Sequence, residues 1–231
     1  MLNAIMALAL VAQDDAAVKE ALDRFKVGMK ANTAAGQASA ITELSKTPHE
    51  KTFPKIAPFV MDGAKETRIA AAKGLGNFTD YKKMATPTLM NALAAPANAK
   101  EYDVLAAIYE GLGKLADPTS LATVHTGFRN EQMKPAKAAI ACAGAMRQKE
   151  SMDALIELLK DVQKWLKNKQ GGPYKDDKGQ NGDDNAIKTR VEDIQKEVIK
   201  AFQSITKEKW TTAQEWELWW TKRKATFEVP K

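Results

Sequence analysis

The sequence is poor in the residues that build most active sites and cross-links. Cys142 is the single cysteine among 231 residues, so an intrachain disulfide or a cluster of thiolate metal ligands is excluded. It lies in the apolar run 138–143, where a small buried side chain is expected rather than a reactive thiol. The two histidines, His49 and His125, have no acid or second histidine at helical ligand spacing. This disfavours zinc binding and histidine-base catalysis, and we expect His49 to be solvated and His125 to lie at a helix edge.

Phosphate-binding loops and nucleophile elbows are also missing from the sequence. Gly74-x-Gly76 and Gly111-x-Gly113 fall at the ends of predicted helices and do not follow strands. The sequence therefore predicts no catalytic, cofactor-binding or metal-binding residues, and a protein that is not an enzyme. The net charge is +6, but basic and acidic residues are interspersed instead of forming one basic stripe. Nucleic acid is therefore not the expected partner.

Long apolar runs are absent after residue 12, so no membrane span is predicted. Residues 1–12 are different, because an apolar stretch with small residues ends abruptly before Asp14 and Asp15. Such a stretch has the length of a signal-peptide core. We predict a signal peptide at 1–12, a mature N-terminus near Gln13, and an exported protein, either periplasmic or secreted. No lysine or arginine precedes the stretch, and the alternative is the apolar start of the first helix in a cytoplasmic protein.

What the sequence does contain is helix. Alanine is abundant and aromatic residues make up only 7% of the chain, a composition that favours closely packed helices. Apolar residues recur at helical spacing between short breaks of turn-forming residues. The predicted helices cover residues 14–31, 35–46, 49–61, 65–77, 81–94, 101–115, 118–129, 132–147, 150–167, 186–206 and 213–226.

These helices repeat. A small-residue segment followed by a large apolar residue occurs around Gly76, Gly113 and Gly144, with spacings of 37 and 31 residues. Small residues at these positions are expected where one helix crosses its neighbour, since larger side chains would push the layers apart. We therefore expect stacked helical hairpins with close helix crossings at Gly76 and Gly113.

The repeats resemble those of the HEAT family. The segment Arg68–Gly76 looks like the second helix of a HEAT repeat, and Ser151–Asp161 looks like a first helix. Pro58 and Pro87 fall where such first helices often carry a proline. Only Arg68 matches the arginine of the family. The resemblance implies an all-α fold, an α-solenoid (α-α superhelix) of about five HEAT-like hairpins over residues 13–210, similar to exported bacterial HEAT-repeat proteins.

Two segments interrupt the repeat. Residues 168–185, here called the inserted segment, are polar and glycine-rich and are expected to form a mobile surface loop. Their acidic residues have the wrong spacing for a calcium loop of the EF-hand type; these are Asp176, Asp177, Asp183 and Asp184.

The C-terminal tail, residues 211–231, is predicted to form a capping helix that covers the 186–206 helix. Its tryptophans share one face, with Trp210 beside them; they are Trp216, Trp219 and Trp220. An exposed aromatic binding surface is the alternative.

The predicted function is that of a non-enzymatic scaffold whose concave face binds a protein or peptide of unknown identity. The alternatives are a HEAT-like enzyme, resembling a bilin lyase or a DNA glycosylase, and a purely structural envelope protein. Neither enzyme alternative has a recognisable set of site residues in the sequence.

Overall fold

The computed structural model describes residues 2–168, 172–176, 180 and 182–230, with side chains from residue 15 onward. No β-strand occurs in these ranges, although one isolated bridge joins Gln132 to Lys175. The all-α prediction is confirmed. The α-helices of the described residues are α1 Leu2–Gly28, α2 Ala34–Leu44, α3 Phe53–Ile56, α4 Lys65–Leu75, α5 Lys82–Ala94, α6 Tyr102–Leu115, α7 Leu121–Gly127, α8 Met133–Met146, α9 Met152–Lys167, α10 Asp184–Thr206 and α11 Ala213–Arg223.

Two of these helices differ from the expected ranges by more than three residues at one end or both. Helix α1 begins at Leu2 instead of residue 14, because the apolar stretch continues the same helix; export stays a prediction. The helix expected over 49–61 is α-helical only at Phe53–Ile56 and continues as a 3-10 turn over Ala57–Val60. Proline has no amide hydrogen, so Pro58 interrupts the α-helical hydrogen bonding at this point.

The helices stack as five consecutive hairpins within the described residues. The second helix of each hairpin contacts the second helix of the next, which forms an inner layer of α2, α4, α6, α8 and α10. The first helices pack on their own partners and make fewer contacts with one another; this outer layer consists of α1, α3, α5, α7 and α9. Contacts between neighbouring hairpins are therefore concentrated in the inner layer. The predicted α-solenoid is thus confirmed.

Glycine allows direct backbone contact within the inner layer. A Cβ atom placed on Gly76 would lie 2.8 Å from Gly111 Cα, and one placed on Gly111 would lie 2.5 Å from the Ala72 carbonyl oxygen. Gly113, expected at an equally close crossing, has more room, since its Cβ would lie 3.3 Å from Ala145 Cβ. The tight crossing of α4 and α6 therefore depends on the pair Gly76 and Gly111.

This difference predicts unequal effects of alanine at the two glycines of α6. We expect Gly111→Ala to lower the free energy of unfolding by about 1–3 kcal/mol, because the methyl group would overlap backbone atoms of α4. Gly113→Ala should be close to neutral, since a gain in helix propensity of up to about 1 kcal/mol offsets a milder contact. Urea unfolding of both variants measures the difference. Equal losses of stability would mean that the crossing is not at Gly111.

The C-terminal tail forms α11, which packs mainly along α9 instead of covering α10 as expected. It starts with the predicted capping box, in which Thr212 and Glu215 satisfy each other's backbone amides. Trp216 and Trp220 are buried, and the Trp216 ring stacks on Phe202 of α10 with the ring centres 4.4 Å apart. Helix α11 therefore lies on the last hairpin and reaches α10 through this ring contact.

The other two tail tryptophans are less enclosed. Trp219 is partly buried beside Phe227, and its ring also meets Trp216 edge-on. Trp210, expected to pack beside the others, is 38% exposed. Its backbone carbonyl accepts a hydrogen bond from Trp216 Nε1 at 3.1 Å, so Trp210 supports the cap through its main chain.

The inserted segment is anchored where a mobile loop was expected, so that prediction is wrong for residues 172–176. Tyr174 is 2% exposed, and its hydroxyl donates to the Phe128 carbonyl at 3.1 Å. Arg190 Nε donates to the Tyr174 carbonyl at 3.2 Å, and Met133 N donates to the Lys175 carbonyl at 3.1 Å. Burial of the tyrosine ring offsets the entropy of ordering this polar stretch.

The acidic residues of the inserted segment have local roles in the structure. Asp183 caps α10 by accepting a hydrogen bond from the Ala186 amide, and Asp176 accepts one from the Gln180 amide. Asp184 is exposed in the first turn of α10, and Asp177 lies outside the described residues. Nowhere in the described ranges do three or more histidine, cysteine, aspartate or glutamate side chains gather as metal ligands.

Candidate functional site

A groove of about 630 Å³ lies at the centre of the inner layer, along α4, α6 and α8. Small side chains on α6 and α8 form its floor, because alanine at these positions leaves the space above the helices unfilled. Ala141 and Ala145 are exposed there. The residues lining this central groove are Ile69, Lys73, Asp103, Ala106, Ala107, Tyr109, Glu110, Gly113, Lys114, Lys134, Ala138, Ala141, Cys142 and Ala145.

A first lysine cluster, consisting of Lys65, Asp103 and Lys134, lies at one end of the central groove. Asp103 on α6 bridges Lys65 on α4 and Lys134 on α8 through its two carboxylate oxygens. The ammonium groups of Lys134 and Lys65 hold the pKa of the Asp103 carboxyl below its ordinary value. One carboxylate therefore ties three neighbouring hairpins together and leaves one lysine charge unbalanced.

A second lysine cluster, consisting of Lys73, Glu110 and Lys114, lies further along the same helices. Glu110 Oε2 is 2.9 Å from Lys73 Nζ, and Glu110 Oε1 is 3.5 Å from Lys114 Nζ. Partial burial would raise the pKa of Glu110, but the two lysines lower it. This cluster again has two lysines for one carboxylate, so the groove has an excess of positive charge at both places.

Two nucleophilic side chains adjoin the groove, but burial keeps both in their neutral form. Cys142 is 2% exposed, and burial raises the pKa of its thiol to about 12. Burial likewise raises the pKa of the Tyr109 hydroxyl to about 12. The interpretation of Cys142 as a small buried side chain is confirmed.

Both histidines lie away from the central groove. His125 in α7 is half-buried, with Nε2 3.0 Å from Ser151 Oγ, and desolvation lowers the pKa of its ring. His49, in the loop before α3, is half-buried instead of fully solvated. Its Nδ1 accepts a hydrogen bond from the Lys51 amide at 3.0 Å. These contacts give each ring a local structural role.

A second groove, of about 670 Å³, opens in the outer layer between α5 and α7. Its lining includes the apolar side chains of Met90, Leu93 and Leu105. Arg129, the one cation among the described residues that line it, is held 2.6 Å from Asp161 of α9. This outer groove lacks the unbalanced lysines that mark the central groove.

The residues that line the central groove were not predicted from the sequence, although a signal for them exists in the repeat alignment. When Gly76, Gly113 and Gly144 are aligned, Lys73 and Glu110 fall at one equivalent position with Ala141. Glu66, Asp103 and Lys134 fall together at another. Equivalent positions on stacked helices are neighbours in space. Ion pairs between the opposite charges at these positions could therefore have been predicted from the alignment.

The stacked hairpins with a continuous inner layer define a helical repeat protein. Residues 67–95 match the family model described as the PBS lyase HEAT-like repeat, a stretch that includes most of α4, the turn after it and α5. The chain therefore carries a HEAT-like repeat, and the resemblance to that family is confirmed for these residues. No curated protein matches the chain. None of the helices in the described ranges is long and apolar enough to cross a membrane.

Proposed function

We propose that the protein is a non-catalytic scaffold that binds a protein or peptide in the central groove. The observation that carries the proposal is the uncovered alanine floor at Ala141 and Ala145, in the middle of an otherwise continuous inner layer. Small exposed side chains let a partner's backbone approach closely. A layer built from several stacked repeats offers an extended surface that suits partners larger than metabolites.

The polar groups of the groove also favour binding over catalysis. Its carboxylates, Asp103 and Glu110, are held in ion pairs with lysines, and their pKa values are lowered. A general acid or base at neutral pH needs the opposite shift for a carboxyl group. Cys142, the thiol beside the groove, has a raised pKa and little access to solvent.

Site-specific photo-cross-linking in the native host tests the location of the partner. A photoreactive residue at Ala141 should give protein adducts, because this position lies on the floor of the central groove. Exposed Ala122 of α7, in the outer layer, is the matched control and should give few. Equal adducts at the two positions, or none at Ala141, would contradict the proposal; none at Ala141 is what a purely structural envelope protein predicts.

A further inference from the structure

We infer that the occupant of the central groove is an acidic helix whose carboxylates are spaced seven residues apart. This inference rests on the proposed function and specifies the partner's chemistry. It starts from the charge balance, since each lysine cluster has two ammonium groups for one carboxylate. Two unbalanced positive charges therefore flank an apolar floor, and a partner with two negative charges complements them.

Neighbouring acids reduce the positive excess of the first cluster, but among the described residues only Asp103 forms ion pairs with its lysines. Glu101 is 3.4 Å from Arg68, so its charge is already matched. Glu101 also raises the pKa of Lys65, and Glu66 does so to a smaller extent; both effects are smaller than that of Asp103. On the other side, Lys137 and Lys196 both pair with Asp193 of α10, at 3.9 Å and 3.2 Å. This is a third group with two lysines for one carboxylate, next to the groove.

The first lysine cluster also lies where three inner helices begin. Lys65, Asp103 and Lys134 are each in the first turn of their helix, α4, α6 and α8 respectively. The unsatisfied amide groups of a helix N-terminus carry about half a positive charge. Their parallel arrangement therefore adds to the lysine charge at this end, and a partner carboxylate is favoured there most.

The spacing of the clusters selects the partner's conformation. Asp103 and Glu110 are seven residues apart on α6, which corresponds to about 10.5 Å along the helix axis. A partner helix lying parallel to α6 presents residues i and i+7 on one face at the same spacing of about 10.5 Å. Small or apolar residues at i+3 and i+4 would then face the alanine floor, as in other helix-in-groove complexes.

The lysines are available to such a partner. The side chains of Lys73, Lys114 and Lys134 are between 45% and 48% exposed. Exposed ion pairs of this kind stabilise a protein very little, so each lysine can turn to a partner carboxylate at small cost. Exclusion of water by the bound helix would then strengthen the new contacts.

Fluorescence anisotropy with two alanine-rich, helix-stapled peptides tests the inference on the full chain. One peptide carries glutamates at i and i+7, and the other carries them at i and i+5, with the same composition and charge. We expect the i, i+7 peptide to bind about fivefold more tightly, and Lys73→Gln or Lys134→Gln to remove most of that advantage. Lys83→Gln, at an exposed site on outer-layer α5, should leave it unchanged.

The other outcomes overturn the inference. Equal affinity of the two peptides, binding of neither, or an equal effect of Lys83→Gln would show that the lysine clusters do not select an acidic helix. Tighter binding of an extended proline-rich peptide with glutamates at i and i+3, or of a DNA duplex, would assign a different occupant. If the peptides fail while Ala141 still gives cross-links, the scaffold proposal stands without the acidic helix. If Ala141 gives none, the scaffold proposal itself fails.

Discussion

Replacing Trp216 by alanine should lower the free energy of unfolding by about 3–5 kcal/mol, the range found for buried aromatic residues. Trp216 is completely buried and stacks on Phe202, so the change leaves a cavity between α11 and α10. The indole also donates to the Trp210 carbonyl, which would lose its partner. Such a loss is a large part of the stability of a typical domain, and urea unfolding measures it.

Trp210→Ala is the matched control, since it removes the same side chain from a 38% exposed site and keeps the carbonyl that Trp216 uses. We expect it to cost much less than Trp216→Ala. If the two substitutions cost the same, α11 does not cap the solenoid through Trp216. The tail tryptophans would then have to be considered as an exposed binding surface.

Replacing Asn98 by alanine should lower the free energy of unfolding by about 2–4 kcal/mol, because several buried polar groups lose their partners together. The Asn98 amide donates to the carbonyls of Val60 and Ala92 at 3.1 Å and 2.9 Å. Its oxygen accepts from Arg68 Nη1 at 2.8 Å. One fully buried side chain thus joins the second hairpin to the third.

Asn91→Ala provides the comparison, because Asn91 is exposed on α5 and such a surface change is usually within about 0.5 kcal/mol. Thermal unfolding of both variants gives the difference in stability. A small effect at Asn98 would mean that water can replace it at the carbonyls. In that case the arginine of the HEAT-like repeat would not depend on this asparagine for its position.

The helices could be predicted from the sequence because their apolar spacing and turn residues are local signals. Arg68 could be identified by its resemblance to the family, but its partner Asn98 could not, because the two are 30 residues apart and no periodic pattern links them. For the same reason, the tight crossing was assigned to Gly76 and Gly113 when the contact involves Gly76 and Gly111. Both glycines of Gly111-x-Gly113 fit the pattern, and only the helix rotation distinguishes them.

The ion pairs of the groove and the packing of the inserted segment are further features that could not be predicted from the sequence. The lysine clusters join α4, α6 and α8, so their pairing depends on the register between repeats, which the unequal repeat lengths conceal. In the inserted segment, the overall polar composition predicts mobility. A single aromatic residue, Tyr174, reverses that expectation, because burial of one large ring outweighs the average of its neighbours.

The anchoring of Tyr174 affects how the end of the solenoid opens. In a repeat protein, a terminal hairpin can fray independently when only its contact with the neighbouring hairpin holds it. Here the segment between α9 and α10 is hydrogen-bonded to Phe128 and to Met133, on the preceding hairpin. Release of the last hairpin therefore also requires extraction of the tyrosine ring. Amide hydrogens in α8 and α10 should consequently exchange together, as one cooperative unit spanning two hairpins.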